Sequence, residues 1–175
     1  DDDSFAFLVA VTRLALPRTE IILNTPAPSE VRRTLYAQGI SQVSVGSSSY
    51  PGVYSADGAP EAGGRLTIGR PRNLETLVYR MCEVGFVPDF CAVSGAGAEP
   101  PANGGPDAAR LALDHKAANS LLALKEYLLD YASEDTQTIA AGIIQEELAR
   151  LSKKVRNQTL ELMEEAEAGF RGQRL

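Results

Sequence analysis

The spacing of apolar positions divides the chain into two parts of different character. Residues 1–18, DDDSFAFLVAVTRLALPR, carry apolar side chains at helical spacing: Phe5, Leu8, Val9 and Thr12 share one face, and Ala15 and Leu16 continue it. Asp1, Asp2 and Asp3 complement the positive end of the helix dipole, and Pro17 predicts the end. TEIILNT at 19–25 is a short unbroken apolar run with β-branched Ile21 and Ile22, which predicts a strand buried on both faces. Ser29 opens a predicted helix that runs through Gln38 and closes at Gly39, and SQVSVG at 41–46 predicts a second strand. Asn73 caps a third helical segment, LETLVYRMCEV, closed by Gly85, with Leu74, Leu77, Val78, Met81 and Cys82 on its apolar stripe. FVPDF at 86–90 follows as a candidate strand.

Past that point the strand signal stops. Residues 92–107, AVSGAGAEPPANGGPD, have the composition of a flexible linker. One helical pattern then covers about Ala109 to Ala132, with a weak point near Asn119. A second is capped at Ser133 and runs to about Ala168, its stripe formed by Ile139, Ile143, Ile144, Leu148, Leu151, Val155 and Leu162.

Strand, helix, strand, long loop, helix, strand is the grammar of an α/β fold with parallel pairing. Two or three parallel strands cannot close on themselves and leave unpaired edges. Strands this apolar belong to a larger sheet or an eight-stranded barrel covered on both sides. The expected organisation is therefore the tail of a barrel over 1–91, a linker over 92–107 and a helical extension over 108–175. The long loop at 47–71, with Tyr50, Pro51, Gly52 and Tyr54, has the length of a functional or mobile segment. Unpaired strand edges imply a partner, either a missing N-terminal half or another protein.

Composition narrows the function classes. The chain has 175 residues, 44% hydrophobic and 23% charged, with a net charge of −6 and a pI near 4.9. That balance argues against a nucleic-acid binder, which shows a basic stripe. No apolar run approaches the roughly 18 residues of a membrane span. Two cysteines at unrelated positions make no disulfide framework, which points to an intracellular, reducing compartment. The chain opens on Asp1 with neither an initiator Met nor a signal-peptide pattern, and reads as a segment of a longer chain or a processed product.

Few residues carry chemistry. Ser44, Gly46 and Ser47 fall at the C-terminal end of a predicted strand, where backbone N–H groups can meet a carboxylate or phosphate; a polar turn is the plainer reading. Cys91 ends an apolar run but lacks companion thiolates, since Ser94 stands three residues on, so a buried structural thiol is favoured over a ligand. His115, the lone histidine, reads as a surface residue between Asp114 and Lys116. Lys125, Glu126 and Asp130 read as solvated helix charges, the last two a mildly repulsive i,i+4 pair. Tyr127 and Tyr131 share a face with Leu124 and Leu128, for which packing is the default. Glu161, Glu164 and Glu165 read as a solvated helix end.

Three segments together resemble a known family: VAVTRLALPRTEIILNT, PSEVRRTLYAQGISQVSVGSSSYPGVYS and NLETLVYRMCEVGFVPDFC. They are similar to the late part of the radical S-adenosylmethionine (SAM) tyrosine lyases. NSLLALKEYLLDYASEDT at 119–136 favours the HydG-like FeFe-hydrogenase maturase branch over the ThiH-like thiamine-pathway branch. The resemblance implies the last βα units of a radical SAM (β/α)8 (TIM-type) barrel with an α-helical C-terminal extension. In that family a 4Fe–4S cluster on C-x3-C-x2-C cleaves SAM, the resulting radical cleaves tyrosine to p-cresol and dehydroglycine, and a second, C-terminal cluster serves carbon monoxide and cyanide formation.

The departures from that pattern are specific. C-x3-C-x2-C does not occur, so the resemblance implies neither SAM nor a SAM-cleaving cluster on this chain alone. At the second cluster Cys91 matches the first ligand, while Ser94 and Lys116 stand at the other positions with His115 adjacent, which implies a degenerate iron–sulfur site. The family's strand-end arginines are replaced: Asn24, Thr25, Pro26 and Ala27 occupy one motif, and Ser44 to Ser49 the other. Asn24, Thr25, Ser44, Gly46, Ser47 and Ser48 are then the substrate- or SAM-facing candidates, and no catalytic residue is assigned. Two readings follow, a segment of a tyrosine lyase and a non-catalytic scaffold that docks through exposed strands and amphipathic helices. A lyase with altered substrate, using Asn24 and Ser48, is a third.

Overall fold

The computed structural model describes residues 2–23, 34–45, 74–90 and 105–175. They form two compact units, Asp1–Leu77 and Val78–Leu175.

The first unit contains α1 (Asp2–Ala15), β1 (Ile22–Leu23) and β2 (Gln42–Val43), with a further helical turn at 34–37. The strands pair in parallel, Ile22 opposite Gln42 and Leu23 opposite Val43. A small core of Val9, Leu23 and Leu35 joins helix to sheet, with Ala6, Tyr36, Ile40 and Val43 around it.

Arg13 sets the rotation of α1. Its Nη1 donates to the carbonyls of Leu16 (3.3 Å), Pro17 (3.2 Å) and Thr19 (2.7 Å). Nε and Nη2 both reach the Gly39 carbonyl, at 3.1 and 2.5 Å, and Nη2 also donates to Ser41 Oγ at 3.0 Å. Ala6, Val9 and Arg13 follow i, i+3, i+7 spacing and therefore face the sheet together. Of the face read from the spacing, Val9 is therefore buried, while Phe5 and Leu8 are exposed. Gly39 closes the preceding helical turn at φ 93°, and a Cβ there would lie 2.9 Å from Arg13 Nε, so a side chain fails on both counts.

The expected (β/α)8 barrel is not what the described residues form. They are mainly helical, and their strands make a single two-stranded sheet that does not close. β1 is also not buried on both faces: Leu23 is buried, but Ile22 is 57% exposed. The predicted strand at 86–90 does not form. Pro88 offers no N–H to a ladder, and these residues instead pack on the helical unit. Val87 lies against its core, Phe90 stacks on Tyr127 at 4.8 Å, and Asp89 accepts a hydrogen bond from Ser120 Oγ at 3.1 Å.

The second unit is helical. α2 (Leu74–Glu83) crosses the division and buries Val78 and Cys82 in this unit's core. Gly85 ends it at φ 84°, with Gly85 and Phe86 N–H groups returning to Cys82 and Met81 carbonyls. α3 (Pro106–Asp130) packs against α4 (Glu134–Arg150) and α5 (Lys153–Glu167). Ala118, Leu121, Leu122, Leu124, Ala140, Val155 and Ala166 are among the most deeply buried apolar side chains of the bundle. Pro106 starts α3 where its missing N–H costs nothing. Ser133 caps α4, accepting from Thr136 N at 3.4 Å.

The single helix predicted from Glu134 to about Ala168 is broken. Leu151 leaves the helical region at ψ 151°, and α5 begins afresh after Ser152. Leu151 is buried in the core and the Ser152 N–H donates to Asp114 Oδ2 of α3 at 3.0 Å. The apolar stripe continues through the break, which is why periodicity alone does not reveal it.

Candidate functional site

The sequence-derived candidates fall into two groups, one in each unit. At the strand ends of the first unit, Ser44 is half-buried and its N–H donates to the Leu23 carbonyl at 3.1 Å. Arg13 binds carbonyls at the opposite, N-terminal ends of the strands, which leaves the C-terminal ends free of that clamp. Asn24, Thr25, Gly46, Ser47 and Ser48 lie outside the described residues, as do Pro26 and Ala27.

In the second unit His115 and Lys116 are neighbours on α3, His115 half-buried and Lys116 exposed. Lys116 borders a cleft of about 300 Å³ with Val87, Leu113, Ser120 and Glu147, and Glu147 pairs with Arg150. Asp114 faces away toward α5. Ser152, through its hydroxyl first and its N–H as well, holds the Asp114 carboxyl below the usual carboxylate range. Cys91, Ser94 and most of the predicted linker lie outside the described residues.

The degenerate iron–sulfur site read from the sequence is not supported. Among the described residues no group of three or more His, Cys, Asp or Glu gathers to hold a metal. Lys116 offers an ammonium, which is no ligand for iron. Cys82, the free cysteine among the described residues, is buried, and burial pushes its thiol up to about 11. It is a core side chain, not a reactive thiolate.

Two features escaped the sequence reading. The first is a groove of about 530 Å³ across α3, α4 and α5, floored by Leu128, Ile144, Leu148 and Met163. Lys125 at its rim pairs with Glu167 at 2.5 Å and holds that carboxyl below its ordinary value. The second is the tail after α5, which folds back along α3. Arg171 grips Asp130 with both ends of its guanidinium, Nε to Oδ2 at 2.9 Å and Nη2 to Oδ1 at 2.6 Å. Asp130 therefore stands below the usual carboxylate range, and its pairing offsets the repulsion expected between Glu126 and Asp130. Arg171, four residues before Leu175, gives no spacing signal by which sequence alone would find this.

Residues 1–87 match the Biotin and Thiamin Synthesis associated domain family, not a closed barrel. The chain is similar in structure to HydG. The crystal structure of HydG, a maturase of the FeFe-hydrogenase, superposes with a TM-score of 0.73 at 29% identity over 100% of this chain. The chain spans 37% of that HydG chain, so the likeness is a distant one to part of a larger protein. No curated protein matches the chain. Among the described residues no helix is long and apolar enough to cross a membrane.

Proposed function

We propose that the chain serves as the C-terminal segment of a HydG-type radical SAM lyase acting on an aromatic amino acid. The observation that supports this most is the likeness to HydG across the full length of the chain, helical unit included. In this reading Asn24, Thr25, Ser44, Gly46, Ser47 and Ser48 border the substrate, offering hydroxyl, amide and backbone donors to a carboxylate. Residues 92–107 connect this part to the helical extension at 108–175. The remainder of the enzyme, or a partner in its place, supplies the chemistry and covers the open edges of β1 and β2. A reducing, intracellular compartment suits both cysteines.

A chimera in which this chain replaces the matching part of HydG provides the test. Retained p-cresol formation from tyrosine, with carbon monoxide and cyanide formation lost, is the expected result. A folded chimera that makes no p-cresol would overturn the lyase reading.

That second outcome would support a non-catalytic scaffold, which a specific observation favours. Pro26 and Ser48 stand where the resembled family carries arginine, and no other guanidinium replaces them in those motifs. Loss of bidentate carboxylate donors removes the main source of substrate anchoring.

A further inference from the structure

The elbow between α4 and α5 interrupts a pattern that the sequence carries straight through. Thr136, Ala140, Ile144 and Leu148 of α4 are buried, and Leu151, Val155, Thr159, Met163 and Ala166 continue the buried positions at steps of three or four residues. That is the spacing of one helical face. Neither glycine nor proline lies between Gly142 and Gly169. Yet Leu151 and Ser152 are extended, with ψ of 151° and 149°. The N–H groups of Lys153, Lys154 and Val155 therefore have no acceptor inside α5, and the Ser152 side chain caps none of them. A continuous helix supplies all three acceptors, the carbonyls of Ala149, Arg150 and Leu151. The elbow is held from outside instead, by the Ser152 N–H donating to Asp114 Oδ2 of α3 at 3.0 Å.

Contacts along α3 fix the directions of its two neighbours. Asp114 meets Ser152 at the start of α5 and Lys125 meets Glu167 at its end, so α5 runs parallel to α3. α4 follows α3 through a short turn and returns to the elbow, so it runs antiparallel. Both pack on α3 rather than on each other, so straightening the elbow separates surfaces that scarcely meet. A continuous helix over 134–167 is about 51 Å long, whereas the 25 residues of α3 span about 38 Å. The α5 half would then project past its own α3 with Val155, Thr159, Met163 and Ala166 uncovered. A two-fold axis at the elbow brings a second α3 running opposite to the first. α5 meets that helix in the same parallel sense as its own.

We infer that Leu151–Ser152 is the hinge of a domain swap, in which α4 and α5 fuse into one helix and α5 docks on α3 of a second copy of this chain. Occupant and seat are already matched, because α5 makes on the second α3 the contacts it makes on its own. Lys125 with Glu167, Asp130 with Arg171 and Glu126 with Gln173 all re-form between chains. The bonds that tie Phe170 and Arg171 to the last turn of α5 travel with it unbroken. Only the elbow changes: the Ser152 N–H leaves Asp114 for the Leu148 carbonyl. Asp114 is the latch of the closed, single-chain form.

Size exclusion with light scattering on the full chain, refolded at concentrations from about 10 μM to about 1 mM, reads the exchange, since the closed form competes at millimolar effective concentration. Asp114→Ala removes the latch, and its dimer should form at least about tenfold more tightly than that of the unaltered chain. Lys153→Pro acts the other way. Proline suits the first residue of α5, whose N–H is idle, and it requires the extended backbone that Ser152 already has. In a continuous helix its ring would strike the Ala149 carbonyl. Lys153→Pro added to Asp114→Ala should therefore restore the monomer. Exchange is told from surface contact by refolding together two Asp114→Ala chains, one with Lys125→Cys and the other with Glu167→Cys. A disulfide joining 125 of one chain to 167 of the other is expected. If Asp114→Ala does not fold, Ser152→Ala favours the continuous helix and gives the same readout. A monomer throughout that range overturns the inference, as does a dimer that survives Lys153→Pro or forms no link between 125 and 167.

Discussion

Arg13 ties three parts of the first unit together from one point. A single guanidinium joins the end of α1, the turn at Leu16–Thr19 and the start of β2 at Gly39–Ser41. Five donors in a planar fork reach these acceptors from one point, which a lysine ammonium cannot do. Hydrogen bonds from a charged group contribute about 1.5–3 kcal/mol, and here they act on a core of three buried residues. Arg13→Lys should therefore lose most of what Arg13→Ala loses, about 2 kcal/mol in this unit. Hydrogen exchange at the Ser41 and Gln42 amides, which donate to Ile21, gives the readout: both variants should speed exchange there. Protection kept by the lysine variant would assign the effect to charge alone. In the sequence, Arg13 is one polar residue on an apolar helix, and nothing marks it as the residue that sets which face turns inward.

At the scale of elements, caps and terminators were legible where a residue type enforces them. Gly39 and Gly85 sit at positive φ at their predicted helix ends, Ser133 caps α4, and Cys82 lies in the core of the stripe that placed it there. Elements failed to be legible where a distant residue decides. The break at Leu151–Ser152 depends on Asp114, 38 positions earlier, taking the Ser152 N–H at the start of α5. α5 opens with Lys153 and Lys154 and no acidic residue in its first turn, so Asp114 supplies the negative charge its dipole lacks. The Ser152 contacts hold the Asp114 carboxyl low in the folded state. A depressed folded value stabilises fully above the unfolded carboxylate range, near 3.9, and is lost as pH falls through the folded value. Acid should therefore loosen the α4–α5 junction below about pH 4, and Asp114→Asn should flatten that part of the acid transition. Circular dichroism during acid titration of both chains checks this. An unchanged acid limb in Asp114→Asn would remove Asp114 from the account. The candidate site was less legible still: the strand-end serines follow from a strand boundary, whereas the grip of Arg171 on Asp130 joins residues 41 positions apart.

At the scale of the molecule, two separate apolar clusters imply two separate stabilities. Among the described residues the first unit's cluster is Val9, Leu23 and Leu35, while the second unit's cluster has fourteen buried residues, among them Leu121, Leu122, Leu124 and Val155. Stability scales with apolar area removed from water, so the small cluster should melt first and the helical bundle later. Most of the described helix belongs to the second unit, so the first transition should remove only a minor part of the far-ultraviolet signal. Leu122→Ala leaves a cavity beside α3 and should cost about 2–5 kcal/mol, lowering the upper transition alone. Leu35→Ala, equally buried, should lower the lower transition alone. Scanning calorimetry of the two variants against the unaltered chain separates these outcomes. A single transition displaced equally by both substitutions would mean that the clusters unfold as one. Independent transitions would fit a chain whose helical bundle stands without the strands, and whose sheet, two-stranded among the described residues, draws further stability from whatever pairs with its edges.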